Sequence, residues 1–579
     1  MTKWKIRQKI DQDFIDKFPE INGLVLQLLH NRGLKVQKEI DDFLNPNYEE
    51  QILDPYLFKD MAKAIGRLFE AINKREKVMI YGDYDADGVC STAILYTTLV
   101  ALGLEVDTYI PFRESEGYGI NVKSAQQIIS QGFDLVITVD CGISNKNEIA
   151  MFNQEGIDVI VLDHHDEPLE MPEALAIINP SVRNSGYPRI ELCGAGVVYK
   201  FVQAIVSHQD KINSPIKLPV GFEKWLLDLV AIATVGDIVP LTSENRIFVK
   251  YGLIVLEKSK NIGIKKLVSM VNNHKGKFDT EYLGWRIVPR INAAGRVQHA
   301  SIAFNLLASR DDEEAGRWIE LLENNNKQRQ QTTEKILSQA LEQVTELTDK
   351  EKIIIVVGEG WSAGVVGLVA GKLCDRYGRP ALVFGRTVEG ENVKYVASGR
   401  SIEEFDITEA LKECHEYILR FGGHPRACGL TIIGEDNFNK FKDKISGLAN
   451  KKIVGIELLS KLDVDAEINL VEINWELLDE LEKFEPYGEG NPQPLFVAYD
   501  LVVEQIQTVG NDGKHLKVLV SQGEDKNRLH KLIGFSFGEW CARLKSGDKI
   551  DIVFELGINE WNGNRELQLK IVDLKLSEK

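Results

Sequence analysis

The chain reads as an α/β protein: a parallel-sheet domain, a long linking helix, a second α/β domain, and a C-terminal all-β module for which an OB-type barrel is the natural candidate. Three observations predict this. Apolar runs from Lys77, Phe133 and Ile157 each end in an acid and alternate with helical patterns, the texture of parallel strands joined by crossover helices. Asp311 to Leu347 has few breakers and a repeated Leu, Ile and Val spacing, which predicts one long helix. Beyond about Gly455, short Val-, Ile- and Leu-rich runs are separated by Gly, Asn and Asp, the texture of a small closed β module.

Length and composition set bounds. At 579 residues the chain exceeds a single core and should hold several domains. With 44% hydrophobic and 27% charged residues it has an ordinary globular composition. No secretory leader pattern opens it and no apolar run is long enough to cross a bilayer, so the cytoplasm is expected. The seven cysteines are scattered without a Cys-x-x-Cys pair, which fits a reducing compartment and argues against structural zinc. A net charge of -18 argues against a sequence-blind nucleic-acid coat but does not exclude a nucleic-acid enzyme.

In order, residues 1–48 read as short helices and connectors. Residues 49–310 form the first α/β domain. An amphipathic helix from Asp60 feeds the strand from Lys77, and an acidic loop, Asp83-Tyr-Asp85-Ala-Asp87-Gly88, follows. A strand at Val106–Ile110 leads into a glycine-bearing loop through Arg113, Gly117 and Gly119. The next strands end at Asp140 and at Asp163-His164-His165. Cys193-Gly-Ala-Gly196 opens a helix, and an apolar helix from Trp225 runs into Asp237. Arg290 to Arg296 reads as a loop of small residues. The linking helix takes residues 311–350, with Arg317, Lys327 and Arg329 expected on a solvated face. In the second α/β domain, residues 351–450, Ala397–Ser401 and Phe421–Gly429 read as glycine-bearing loops. The β module takes residues 456–579. Trp285, Trp318 and Trp361 are expected in the core.

Ligands in open parallel sheets bind beyond the carboxyl ends of the strands, where Asp83, Asp85, Asp87, Asp140, Asp163, His164, His165 and Asp237 fall. Acids two apart in extended backbone point to one side, and carboxylates so crowded repel unless protons or cations neutralise them. Asp and His without thiolates suit Mn²⁺ or Mg²⁺, and a pair of such ions can serve displacement at phosphorus. Asp140 and Asp237 could instead cap the helices that follow them.

These motifs, with Cys193–Val197, Gly236-Asp237, Arg290–Arg296 and Gly422-Gly-His424, resemble in combination and order the DHH phosphoesterase superfamily, and within it the RecJ single-strand-specific exonucleases. The resemblance covers nearly the whole chain. It implies that the first domain is a DHH domain and the second a DHH-associated domain. It implies two Mn²⁺ or Mg²⁺ ions on Asp85, Asp87, Asp140, His164 and Asp237, with Asp140 bridging. His165 would sit beside the scissile phosphate, with Asp163 and Asp83 in support. Arg113, Arg296, Ser398, Arg400, Gly423 and His424 would bind substrate. Relatives often carry His where Tyr81 stands, and Trp-His-x-Gly where Ser362 replaces the His.

What the resemblance implies is a 5′→3′ single-stranded-DNA exonuclease of recombination and repair, a monomer working beside a helicase and a single-strand-binding protein, with no membrane. A DHH phosphodiesterase acting on oligoribonucleotides or cyclic dinucleotides is the alternative. A non-catalytic replication scaffold is the distant one.

Overall fold

The structure is a computed structural model and describes residues 2–212, 216–271, 277–344, 351–389, 392–453, 461–510, 512–523, 528–561 and 564–577. The expected end of the linking helix at Leu347, and the domain limits expected at 350 and 456, lie outside these residues.

The first sheet is wholly parallel, in the order Glu105–Tyr109, Lys77–Tyr81, Leu135–Val139, Asp158–Leu162, Ala176–Ile178. Its middle strand Leu135–Val139 is buried throughout, because helices cover both faces of such a sheet. Helices Ala86–Ala101, Gly194–His208 and Leu227–Gly236 share one hydrophobic core with it. Helix Leu227–Gly236 is apolar nearly all round and buried from Leu227 to Thr234, so it fills the interior rather than lining the surface.

One polar group inside that helix makes stability pH-dependent. Asp228 is 1% exposed and accepts a 2.5 Å hydrogen bond from Ser259 Oγ. Burial raises its carboxyl from 3.8 to about 6, against the opposing pull of the Ser259 bond. The folded value lies above the unfolded one, so the stability tied to this proton is complete below 3.8 and is lost as pH rises through about 6. Asp228→Asn is expected to remove that segment, worth on the order of a few kcal/mol. Thermal unfolding of both proteins across this pH window measures it, and a pH-independent difference between them would exclude it.

The segment Arg290–Arg296 is not a loop. It is the helix Val288–Val297, with Pro289 in its first turn, where the missing N–H costs nothing. Its small residues serve packing: Ala293, Ala294 and Gly295 are buried, and Asn292 Oδ1 accepts from Ala86 N–H at 2.9 Å, bracing the acidic loop from behind. The linking helix spans Asp312–Val344. Trp361 is 7% exposed, as a core residue should be, but Trp285 is 77% exposed on a π-helical turn, Leu283–Ile287.

The second sheet runs Arg420–His424, Ala427–Ile433, Asn392–Arg400, Ala381–Glu389, Ile354–Glu359. Only its last pair is parallel. Here too the glycine-bearing stretches are strands rather than loops. Ala397–Arg400 pairs with Ala381–Phe384 on one side and Ala427–Leu430 on the other. The small residues that mimic a loop signal let strands, a covering helix and side chains approach closely. The glycines of Arg420–His424 lie in an exposed edge strand.

The C-terminal module is a closed barrel, because strand Phe496–Val509 pairs both with His515–Ser521 and with Lys549–Trp561. The N-terminal segment packs on this module. Strand Lys3–Ile6 pairs with Lys461–Val464, and Val25, Leu26, Leu28, Leu29 and Ile40 share one core with Leu477, Phe484 and the barrel interior.

Candidate metal centre

The acidic loop leaves strand Lys77–Tyr81 and turns at once into helix Ala86–Ala101. Asp85 is the N-cap of that helix, in extended backbone, and its Oδ1 accepts from the N–H groups of Asp87 and Gly88 at 2.9 and 3.2 Å. Asp87 lies within the first helical turn. An extended run with acids alternating toward one side therefore does not describe the loop; the turn into the helix brings them together.

Asp87 is tied to a second helix N-terminus. Its Oδ2 accepts from Gly194 N–H at 2.6 Å and its Oδ1 from Ala195 N–H at 2.8 Å, so two otherwise unpaired donors of helix Gly194–His208 meet a carboxylate. A Cβ at Gly194 would lie 2.7 Å from Cβ of Asp140 and 2.8 Å from its Oδ1. Only glycine lets the helix end approach this closely.

Asp140 follows strand Leu135–Val139 with φ 60, a conformation disfavoured for a residue with a Cβ. Its backbone is held on both sides: its N–H donates to Leu162 O at 2.9 Å, and Tyr118 hydroxyl donates to its carbonyl at 3.1 Å. Asn145 precedes the next helix and Thr242 the one after Asp237, so neither acid caps a following helix. Asp237 instead closes the carboxyl end of Leu227–Gly236.

His164 and His165 follow strand Asp158–Leu162. His164 Nε2 lies 3.1 Å from Asp140 Oδ1 and 3.8 Å from Asp87 Oδ2, and its Nδ1 is 3.8 Å from Asp237 Oδ2. Three overlapping groups result, each with ligand atoms within 4.8 Å of one another: Asp83, Asp85 and Asp140; Asp87, His164 and Asp237; Asp140, His164 and His165. The structure thus brings all seven of these residues together, with Asp140 and His164 at the overlaps.

The electrostatics describe a site short of positive charge. Burial, then Asp85, raises Asp87 to about 7, and burial, then Asp87 and Asp85, raises Asp237 to about 8. Asp83 and Asp140 are pushed well up by the same causes. Asp83 Oδ1 is buried without a hydrogen-bond partner, and Asp140 Oδ1, although near His164, accepts none. Burial and the neighbouring His165 push His164 down to about 4, leaving the neutral imidazole that binds metals. Orphaned carboxylate oxygens beside a neutral imidazole fit divalent cations of the Mn²⁺ or Mg²⁺ class.

His165 behaves in the opposite way. Burial opposes its charge, but the 2.8 Å bond from Nδ1 to Asp163 Oδ1 and that residue's charge raise it to about 9. Asp163 is fully buried. Despite that burial, the His165 bond and charge, with smaller help from His164 and Ile143 N–H, hold it at about 2. Its Oδ1 also accepts from the backbone N–H groups of His164 and His165 at 2.7 and 3.2 Å, so one carboxylate fixes the turn that carries both histidines and orients the His165 ring directly.

Sequence reasoning missed Tyr118. Its hydroxyl lies 2.9 Å from His165 Nδ1 as well as donating to Asp140 O. The flanking Gly117 and Gly119, both at positive φ, were the available signal, since they fix the loop around one aromatic residue. Tyr81, where relatives often carry His, turns its hydroxyl into the core and donates to Gly119 O at 3.0 Å.

The candidate substrate-binding residues come from both lobes. Arg113 stacks over the Tyr84 ring at 4.8 Å. Arg296 Nη1 donates to Gly364 O at 2.9 Å, and a Cβ at Gly364 would lie 2.3 Å from Arg296 O. That contact seats helix Ala363–Tyr377 on helix Val288–Val297. Nearby, Ser362 Oγ donates to Glu114 Oε1 at 3.1 Å across the lobes. Ser398 and Arg400 lie on strand Asn392–Arg400 beside that same helix; a Cβ at Gly367 would be 3.3 Å from Ser398 Oγ and 3.8 Å from Arg400 Nη2. Burial, then Arg113, Arg329 and more weakly Arg400, depress the Arg296 guanidinium against the pull of Asp85, so these charges converge. Gly423 and His424 are on the exposed edge strand, with His424 in register with Ala427 and, one strand further, Arg400.

Comparison with known proteins agrees with this layout. Residues 77–234 match the DHH family, N-terminal domain; residues 349–451 the DHHA1 domain; and residues 464–573 the RecJ OB domain. The single-stranded-DNA-specific exonuclease RecJ of Bacillus subtilis is 36% identical over 581 residues, spanning 100% of this chain and 71% of that protein. The crystal structure of RecJ in complex with Mn²⁺ from Thermus thermophilus superposes with a TM-score of 0.82 at 26% identity, covering 100% of this chain and 80% of that one. The Mg²⁺ complex from the same organism gives 0.76 at 26% identity, covering 100% and 79%.

Proposed function

This chain belongs to the RecJ family, and on that premise we propose that it is a metal-dependent exonuclease specific for single-stranded DNA, releasing nucleotides from the 5′ end. The observation that carries the reading is the set of overlapping carboxylate–imidazole groups around Asp140 and His164, with Arg296 close enough to feel Asp85 on one side and the arginines of both lobes on the other. Asp85, Asp87, Asp140, His164 and Asp237 would hold two Mn²⁺ or Mg²⁺ ions, with Asp140, which belongs to two of the three groups, as the ligand common to both and Asp83 in support. When bound, such a pair activates water and stabilises the attacking and leaving oxygens of an in-line displacement at phosphorus.

The remaining chemistry belongs to side chains. His165, protonated near neutral pH and tied through Nδ1 to Asp163, presents Nε2–H, 3.4 Å from the Tyr118 hydroxyl, to donate to the phosphate as charge grows on it. Tyr118 limits rotation of that ring through a second contact at the same Nδ1, 2.9 Å away. Removing the hydroxyl in Tyr118→Phe is expected to lower kcat about tenfold with KM unchanged; steady-state kinetics test this, and a rise in KM alone would exclude the role.

Arg113, Arg296, Ser398, Arg400, Gly423 and His424 hold the 5′ phosphate and the first linkage, guanidinium forks being suited to phosphate oxygens. Arg400→Ala should raise KM for a 5′-phosphorylated strand about tenfold without changing Mn²⁺ affinity. Equal loss of metal affinity would count against it. The barrel supplies the outer wall along which the strand runs. Among the described residues no helix is long and apolar enough to cross a membrane, and we place the enzyme in the cytoplasm, a monomer working beside a helicase and a single-strand-binding protein.

A long 5′-labelled single strand tests the reading. Prompt release of labelled mononucleotide is expected, whereas cleavage of dinucleotides alone would assign the site to small substrates.

A further inference from the structure

The linking helix was expected to present Arg317, Lys327 and Arg329 to solvent. Arg317 does: it is exposed and pairs with Glu313 one turn away at 3.1 Å. Arg329 does not. It is half-buried, with its Nε enclosed and without a hydrogen-bond partner, and its one side-chain partner is the neutral Asn326 Oδ1 at 3.0 Å. One turn earlier, Asn325 is 2% exposed and its amide nitrogen is likewise unpartnered. Buried donors left unpaired are costly, and two on consecutive turns of one helix need an acceptor that no described residue supplies.

The surroundings say what that acceptor is. The neighbouring Arg290 is neutralised by Glu323 at 2.9 Å and donates to Arg286 O. By contrast, among the described residues no carboxylate oxygen lies within 4.0 Å of Arg113, Arg296, Arg329 or Arg400. Arg296, half-buried like Arg329, feels Arg113, Arg329 and Arg400 as like charges. Asp85 opposes the like charges on Arg296 only in part, and four guanidinium groups without a carboxylate partner exceed what the 5′ phosphate alone neutralises. Three of the four stand on elements already assigned to the 5′ end; Arg329 stands on the helix that joins the lobes.

We propose that Arg329, with the Asn325 amide beside it, grips a second backbone phosphate of the single strand, distinct from the one held by Ser398 and Arg400. The assignment rests on the nuclease reading. It makes the linking helix a part of the substrate track rather than a spacer, and it fixes the strand's direction by engaging two successive phosphates on different elements.

Binding of a fluorescent 5′-phosphorylated oligothymidylate, followed by anisotropy as salt is varied, tests it in the full chain. The Asp140→Ala protein serves as the non-cleaving parent. Adding Arg329→Gln should weaken binding about tenfold and make the slope of log K against log salt shallower by about 0.7, one single-strand phosphate contact. Arg329→Lys should restore most of the slope, and Arg317→Gln should leave it unchanged. An Arg329→Gln slope equal to the parent's, with or without a lowered Tm, overturns the assignment and leaves the nuclease intact. Failure of the parent itself to bind the oligonucleotide overturns both.

Discussion

Replacing Asp140 by alanine is expected to reduce hydrolysis of single-stranded DNA by at least on the order of 10³-fold, about 4 kcal/mol of transition-state stabilisation. Asp140 stands in two of the three ligand groups, and its Oδ1 is 3.1 Å from His164 Nε2. Losing it breaks the connection between the Asp83–Asp85 side and the His164 side. The fold should survive. In the metal-free protein, the substitution removes a carboxyl whose charge is disfavoured by burial and then by Asp87, Asp85, Asp83 and Asp237. That gain offsets the alanine now held at φ 60. Thermal unfolding with and without Mn²⁺ separates the two effects. The parent should be stabilised by the metal through linkage, and the variant much less so. Cleavage by the variant in Mn²⁺ at near-parent rates would sink the assignment of Asp140 as the shared ligand.

His165→Ala should cost about 10²–10³ in kcat with little change in KM, the range for loss of a positioned proton donor. The same substitution should leave the Mn²⁺-induced rise in Tm close to the parent value, because the proposed role of His165 is on the phosphate and the proposed metal ligands are other residues. This contrast with Asp140→Ala distinguishes the two roles. If His165→Ala abolishes the metal-induced rise instead, the imidazole is a ligand, and the group formed by Asp140, His164 and His165 describes its coordination. Asp163→Asn should reproduce part of the defect, since a neutral amide no longer holds the imidazolium that Asp163 stabilises at 2.8 Å.

Much of the architecture was legible because burial leaves a period in the sequence. Leu135–Val139 is covered on both faces and appears as an unbroken apolar run; the helix Ala363–Tyr377 carries its apolar stripe at the expected spacing. Small residues misled. Arg290–Arg296 and Ala397–Ser401 looked like loops, yet one is a helix and the other largely strand. Alanine and glycine signal loop freedom and close packing equally well, and only the neighbours distinguish them. Trp285 misled in the other direction: nothing local marks it as 77% exposed.

By itself, the order of residues determined which acids could act together. In a parallel sheet every carboxyl-terminal strand end opens on one side, so Asp83, Asp140 and Asp163 had to emerge on a common edge. What only the tertiary structure decided is how those groups are supported and charged. Tyr118 against His165, Gly194 against Asp140, and Arg329 without a carboxylate are contacts between segments far apart in the chain. No local pattern encodes them, because hydrogen-bond satisfaction and charge compensation are properties of a packed neighbourhood, and that neighbourhood exists only once the helices and both lobes have closed around it.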